Sequence, residues 1–287
     1  MLRLINAELF KLRKRSLTRI LLFVLVGILI IIYFILLAVS NANLPIPRAG
    51  EGMPRIVNLL GLPVAIPLVF MFLAGLGSIL AVILVASSMG NEYNWRTIRT
   101  VLTSSESRFK LLGAKLISAI IFILLGMAIG VATGFIMSMI TTAIGGYKFD
   151  FSFATGSYMW DQFLQFWRTF YVMLPYIFLA FLLSIVGRSA MPGIALGIAI
   201  LFFEPIITGL MNLAGGWIAQ VPAYLLGENV NAITALADLP SSFGGGFGFR
   251  AIGEMPSVLH ATVVLGIYSV VSLALAFYIF RKRDVTA

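Results

Sequence analysis

The sequence predicts an all-α polytopic membrane protein with six transmembrane helices and an N-terminal interfacial amphipathic helix. Hydrophobic residues make up 60% of the 287 residues and charged residues only 11%, whereas an average soluble chain is about 25% charged. Six apolar stretches of 19 to 28 residues occur along the chain, and about 20 residues suffice for a helix to cross a bilayer. The net charge is nevertheless +9. Because a protein folded in water cannot bury this much apolar surface, we expect lipid to be the solvent for most of the chain.

The first predicted element is an interfacial helix at residues 2–18. Leu2, Ile5, Leu9 and Leu12 recur at spacings of three and four, with basic residues elsewhere around the helix. This pattern is typical of a helix that lies in the headgroup region with its apolar side down, the alternative being a basic tail that only sets the topology. A cleaved signal peptide is disfavoured, because the next apolar run has 20 residues instead of about 7–15.

Six spans follow in what we interpret as a single transmembrane domain covering residues 1–287. They are predicted at 20–39, 62–88, 116–143, 169–187, 190–213 and 257–280. The longer connections are a Pro- and Gly-containing loop at 40–61, a basic segment at 89–115, an aromatic-rich loop at 144–168 and a final loop at 214–256. The apolar first half of the final loop is predicted to form one or two re-entrant helices, a conformation that must be covered by protein or face water.

The distribution of basic residues predicts the orientation of the chain. With six spans, fifteen of the twenty Lys and Arg residues fall on the side of the two termini and five on the other. Lys and Arg are enriched in the cytoplasmic segments of membrane proteins. Both termini and the 89–115 segment are therefore predicted to be cytoplasmic.

Glu204 is the one acidic or strongly basic residue inside the predicted spans, and Pro205 follows it. A carboxylate at the bilayer centre costs about 2.5–3.5 kcal/mol on insertion scales, so it should face protein or water. The proline removes a backbone donor and can kink the helix. Two interpretations remain open: a polar point or hinge on a transport path, or a glutamic acid bonded to a neighbouring helix.

Glycines recur four residues apart in two of the predicted spans. Such spacing lets two helices approach closely in a membrane, either within the chain or between subunits. We expect packing within the chain more than packing between subunits at the five candidates, which are Gly126, Gly130, Gly134, Gly193 and Gly197.

The sequence offers little support for an enzyme or a metal protein. It has no cysteine and a single histidine, His260, so neither a thiolate site nor a histidine cluster can form. No G-x-x-x-x-G-K-[ST] phosphate loop is present. The basic residues next to the spans are accounted for by topology and anionic lipid. We therefore predict no catalytic residue, no metal and no nucleic-acid partner, with membrane lipids as the expected surroundings.

Two cytoplasmic segments resemble those of a known family in their order and spacing. The residues that carry the resemblance are Asn6-Ala7-Glu8-Leu9-Phe10-Lys11-Leu12-Arg13-Lys14, then Glu92, Arg96-Thr97-Ile98-Arg99, Leu102-Thr103, Ser107-Arg108 and Lys115. Together they resemble the permease subunits of bacterial type-two ABC exporters, which have six spans and no nucleotide-binding domain in the same chain. Trp95 departs from the pattern, since the family commonly has a small residue before the threonine.

The resemblance implies a partner and a mechanism. Two permease chains, identical or different, and two separate ATPase chains would form one exporter in the bacterial cytoplasmic membrane. ATP and Mg would be bound by the ATPase, and this chain would need no cofactor. The N-terminal helix and the second-to-third loop would rest on the ATPase, and the residues carried over to this coupling surface are Glu8, Lys11, Glu92, Arg96, Thr97 and Arg99.

Two other functions remain open from the sequence. One is a stand-alone secondary transporter or channel, a class that often contains several intramembrane polar groups. The other is a non-transporting membrane scaffold or immunity protein. The apolar spans and aromatic loops fit a hydrophobic or amphipathic substrate, whether lipid, drug or peptide, equally well.

Overall fold

The computed structural model describes residues 1–41, 61–62, 64–94, 108–145, 151–237 and 255–282. Within these ranges 89% of the residues are helical and none is in a strand. Six helices are long and apolar enough to cross a membrane. The predicted all-α fold with six transmembrane helices is therefore confirmed, and the chain is a multi-pass membrane protein.

The helices are numbered here in chain order. They are α1 (Leu2–Lys14), α2 (Ser16–Asn41), α3 (Ala65–Phe72), α4 (Ser78–Asn94), α5 (Arg108–Ile144), α6 (Gly156–Val186), α7 (Ala190–Ala214), α8 (Leu226–Thr234) and α9 (Val258–Lys282). A π-helical turn, Leu73–Gly77, joins α3 to α4 so that together they form the second span. A 3-10 helix, Ile218–Tyr224, precedes α8.

The predicted N-terminal helix is present but ends earlier than expected. It stops at Lys14, because Arg15 has an extended backbone with φ −64° and ψ 131°. The next helix starts at Ser16 and continues as the first span. A helix at the N-terminus is thus separate from the membrane span, as the apolar pattern of Leu2, Ile5, Leu9 and Leu12 predicts.

The prediction of an aromatic-rich loop at 144–168 is wrong for residues 156–168, which belong to the helix of the fourth span. The helix begins at Gly156 instead of 169, and Thr155 caps it by accepting a 3.3 Å hydrogen bond from the backbone N–H of Tyr158. Polar residues such as Asp161 and Gln165 lower the hydropathy of this stretch without interrupting the helix. The third span likewise begins at Arg108 instead of 116.

The bundle has an inner and an outer set of spans. The second span and α6 are the most buried, whereas α2 and α7 are the least. Many large apolar side chains stay exposed on the outside of the bundle, among them Phe203, Leu210 and Val270, which are 60%, 63% and 67% exposed. Such a surface suits contact with lipid.

The two ends of the bundle differ in what they carry. We call one the basic end: it holds α1, the last turn of α4, the start of α5 and the α6–α7 turn. There Arg281 of α9 lies 5.9 Å from the ring of Phe109 of α5. The opposite end holds the 3-10 helix and α8, as expected for the first half of the 214–256 loop. Residues 238–254 of that loop lie outside the described ranges.

Glycines set the closest helix contacts. A Cβ on Gly134 of α5 would clash with the side chain of Val69, and one on Gly130 would lie 2.9 Å from Leu73 Cδ2. In α7, a Cβ on Gly193 would clash with Ser184 Oγ of α6, and one on Gly197 would lie 2.7 Å from Val82 Cγ1 of α4. These four glycines therefore lie where helices of the same chain meet.

Gly126 differs from the other four candidate glycines. A Cβ built there would meet no atom within 4 Å. The prediction of close packing thus does not hold for Gly126 within the chain, because this position faces a cavity.

Candidate functional site

Helix α1 lies against α5 at the basic end. Its Leu12 is only 2% exposed. The hydroxyl of Ser118 in α5 donates a 3.2 Å hydrogen bond to the backbone carbonyl of Ile5. The extended backbone at Arg15 interrupts the helix between α1 and the first span. This allows α1 to run in a different direction from the span.

Four charged residues from three helices meet where α1 contacts the bundle. We call this set, formed by Glu8, Lys11, Glu92 and Lys115, the ion cluster. Lys115 Nζ lies 2.8 Å from Glu8 Oε2 and 2.5 Å from Glu92 Oε1. Lys11 Nζ lies 2.7 Å from Glu8 Oε1 and 3.7 Å from Glu92 Oε1. One lysine therefore joins two carboxylates that are far apart in sequence.

Burial makes this cluster unusual. Glu8, Glu92 and Lys115 are 3%, 3% and 2% exposed, while the side chain of Lys11 is 45% exposed. Charged residues of these types are almost never buried unless they are paired. Two carboxylates and two ammonium groups give the cluster a net charge of zero, so its members compensate one another away from water.

The electrostatics agree with this pairing for the two residues of α1. Burial acts to raise the pKa of Glu8, but the charge of Lys115 and hydrogen bonds from both lysines lower it below its ordinary value of 4.5. Burial acts to lower the pKa of Lys11, but the hydrogen bond and charge of Glu8 raise it above 10.5. Both residues are therefore charged at neutral pH.

The ion cluster brings together half of the predicted coupling surface. Glu8 and Lys11 come from α1 and Glu92 from the last turn of α4. Arg96, Thr97 and Arg99 lie at 95–107, outside the described residues.

Lys115 is the member whose role sequence reasoning missed. Lys115 is among the residues that carry the family resemblance, but it is not one of those carried over to the coupling surface, and it stands between the apolar residues Ala114 and Leu116. A lone lysine with apolar neighbours on a membrane helix was the available signal, since such a charge needs a partner. Its partners lie 107 and 23 residues away in sequence, which spacing alone could not identify.

The α6–α7 turn rests directly on α4 beside the ion cluster. A Cβ on Gly90 would clash with the backbone N of Ala190 and lie 2.5 Å from the carbonyl carbon of Ser189. Arg188 in this turn has φ 51°, a left-handed conformation that is uncommon for residues other than glycine. The last turns of α4 are thus in contact both with α1 and with the α6–α7 turn.

Glu204 lies near the opposite end and has a structural partner. It is 8% exposed, and its Oε1 accepts a 2.7 Å hydrogen bond from the backbone N–H of Gly227 in the first turn of α8. A carboxylate at a helix N-terminus is favourable because of the unpaired N–H groups and the helix dipole. Pro205 lies within α7, which the structure shows as one helix, and its carbonyl accepts a hydrogen bond from Thr208.

Further polar contacts hold the segment before α8. Asn229 is fully buried and donates to the carbonyls of Ala223 and Leu225 at 2.9 and 2.6 Å. A ring nitrogen of His260 lies 2.9 Å from the same Ala223 carbonyl, and Tyr268 donates to the carbonyl of Tyr224 at 3.2 Å. The 3-10 helix is therefore fixed to α8 and α9 through its backbone carbonyls.

No group of three or more His, Cys, Asp or Glu side chains in the described part of the chain is arranged to hold a metal ion. The polar residues brought together are instead oppositely charged pairs and backbone partners.

Comparison with known proteins gives a family and one curated relative. The sequence profile of a family described as "Protein of unknown function (DUF2705)" matches residues 51–286. The "Uncharacterized protein YhcI" of Bacillus subtilis (strain 168) is 28% identical over 224 residues, which cover 75% of this chain and 66% of that protein. The chain thus matches just under two thirds of the length of this relative. Because the profile covers well over half of the sequence, the chain belongs to the DUF2705 family of proteins of unknown function.

Proposed function

We propose that this chain is the membrane-spanning permease subunit of an ATP-driven transporter of the ABC class, powered by a separate ATPase subunit. Two permease chains and two ATPase chains form the complex, which exports a hydrophobic or amphipathic substrate. The complex resides in the bacterial cytoplasmic membrane. Both termini are cytoplasmic, in accord with fifteen of the twenty basic residues on that side.

The observation that carries the proposal is the ion cluster. The resemblance implies that α1 and the segment after α4 rest on the ATPase. In the structure, Lys115 bonds to Glu8 of α1 and to Glu92 of α4. Because these bonds are buried and charge-assisted, they are strong and geometrically defined. A displacement of either segment by the ATPase therefore also displaces the other segment and the start of α5.

The contact at Gly90 extends this path. The α6–α7 turn touches α4 there at backbone distance, so a displacement of the last turns of α4 also displaces α6 and α7. Tightly packed interiors transmit such displacements because they have little free volume. Movement of the surface that rests on the ATPase at the basic end thus reaches four of the six spans, namely the second span, α5, α6 and α7.

The contacts of Glu204 bear on the alternative functions. A stand-alone transporter would use intramembrane charges for its substrate or coupling ion. The Oε1 atom of Glu204 instead accepts a hydrogen bond from the backbone of α8, which favours a structural role. The other oxygen, Oε2, is buried with no hydrogen-bond partner among the described residues, so this contact accounts for one of the two carboxylate oxygens.

Purification of the tagged chain in mild detergent tests the proposal. We expect a protein with a P-loop to copurify in equal amount and the complex to hydrolyse ATP in a vanadate-sensitive way. At matched amounts of permease in the membrane, Glu92→Gln should lower ATP hydrolysis per complex, whereas Lys110→Gln, an exposed charge on α5, should not. Recovery of the folded chain without any P-loop protein would refute the proposal.

A further inference from the structure

A cavity of about 510 Å³ opens between α2, the second span and α5 in the half of the bundle nearest the basic end. Its wall is largely apolar and includes Leu22, Leu25, Leu80, Phe122 and Met127. Cavities of about 300–1,000 Å³ are typical of sites for small molecules. The volume and the lining fit an apolar ligand.

One side of the cavity is open at the outer surface of the bundle. Leu125 and Ile129 of α5 line it and are 52% and 39% exposed. On the inner side the wall includes Leu73 and Gly77 of the π-helical turn. Single π-helical turns within membrane helices are frequent at functional sites. A lipid acyl chain can therefore reach the cavity from the membrane without crossing the bundle.

The mouth of the cavity at the basic end is strongly cationic. Arg13, Lys14 and Arg19 line it and are exposed, and no acidic residue is among the described residues of the lining. Arg19 is held over the break between α1 and α2 by a 3.2 Å hydrogen bond from its guanidinium to the carbonyl of Lys14. Three positive charges thus face the same opening.

We propose that the cavity binds one anionic phospholipid from the leaflet at the basic end. Its phosphate is held by Arg13, Lys14 and Arg19, while an acyl chain fills the cavity beside Gly126. Basic pockets between membrane helices are suited to anionic headgroups. The bound lipid offsets the mutual repulsion of the bases and stabilises the junction between α1 and α2. This proposal does not depend on the transport function.

Native mass spectrometry of the full chain, released from detergent with dioleoylphosphatidylglycerol or dioleoylphosphatidylcholine, tests the site. We expect one tightly held phosphatidylglycerol and weaker retention of phosphatidylcholine. Each basic residue near a membrane surface contributes about a fivefold gain in affinity. The triple change Arg13→Gln, Lys14→Gln, Arg19→Gln should therefore weaken binding about 100-fold. The matched control removes three exposed bases of the basic end that do not line the cavity: Arg3→Gln, Lys110→Gln and Lys282→Gln.

A second pair of variants tests the acyl-chain part of the site. Gly126→Leu fills the cavity without a clash at Cβ, and Gly27→Leu adds the same side chain to α2 at a position where Cβ also meets nothing within 4 Å. Only Gly126→Leu should reduce retention of phosphatidylglycerol. Equal retention of the two lipids, or unchanged retention in Gly126→Leu, would overturn the proposal. Displacement of the lipid by millimolar inorganic phosphate would also overturn it, because the site would then bind the headgroup alone.

Discussion

Replacement of Lys115 by methionine tests whether the ion cluster holds α1 to the bundle. Lys115 is 2% exposed and bonds to two carboxylates at 2.5 and 2.8 Å. Without it, Glu8 keeps Lys11 at 2.7 Å, whereas Glu92 loses its 2.5 Å bond to Lys115 and keeps Lys11 at 3.7 Å. Removal of one partner from a buried ion pair costs about 3–5 kcal/mol, because the remaining charge stays buried without compensation. We expect the free energy of unfolding of Lys115→Met to fall by about this amount.

The measurement is reversible unfolding in mixed micelles, followed by circular dichroism. Lys110→Met is the control, since Lys110 is an exposed lysine on the same helix and a surface change of this kind is usually worth less than about 0.5 kcal/mol. The double variant Lys115→Met, Glu92→Gln should lose less unfolding free energy than the two single variants together. The difference, which is the coupling energy, should be about 0.5–3 kcal/mol. If Lys115→Met is no more destabilising than Lys110→Met, the cluster does not fix α1.

Three further predictions concern helix packing at Gly134, the contact between α7 and α8, and the pH dependence of stability. Gly134→Leu should lower the amount of folded protein by forcing α5 away from the second span, whereas Gly27→Leu, where Cβ has open space, should not; equal expression of the two on fluorescence-detected size exclusion would contradict the packing. Glu204→Ala removes the acceptor for the Gly227 N–H and should speed hydrogen exchange in α8 about two- to tenfold, because an ordinary hydrogen bond contributes about 0.5–1.5 kcal/mol; unchanged exchange would show that α8 does not need this bond. Because the pKa of Glu8 is lowered in the folded chain, its contribution is present above pH 4.5 and is lost as the pH falls through the lowered value. Unfolding free energy below pH 4.5 should therefore fall more steeply in the unmodified chain than in Glu8→Gln, and parallel profiles would refute this.

The number and type of the helices followed from hydropathy, because a membrane span must be apolar along about 20 residues. The helix ends did not follow as well. Residues 156–168 look like a loop by hydropathy, since Asp161, Gln165 and Arg168 interrupt the apolar run. In the structure these residues continue a helix that starts at a Thr155 cap. Hydropathy indicates which residues lie in the hydrocarbon of the membrane. A helix can extend beyond the hydrocarbon, so hydropathy does not predict where it ends.

The candidate site was only partly predictable for a different reason. Glu8, Lys11 and Glu92 were placed on the coupling surface through family resemblance, but Lys115, which bonds to both glutamates, was not. Gly90 was not selected either, because a single glycine carries no spacing signal, and its importance depends on which backbone lies opposite. Such contacts are properties of helix packing, and one sequence does not specify which helices are neighbours.

Site-specific photo-cross-linking from α1 in native membranes tests the central claim most directly. Phe10 is 61% exposed on α1, and Trp217 is 75% exposed at the opposite end of the bundle. A photoreactive residue at Phe10 should capture a P-loop ATPase, and the yield should change on addition of ATP with vanadate, while the same residue at Trp217 should capture none. Failure to capture an ATPase from Phe10, or equal capture from both positions, would contradict the account of a permease driven through α1.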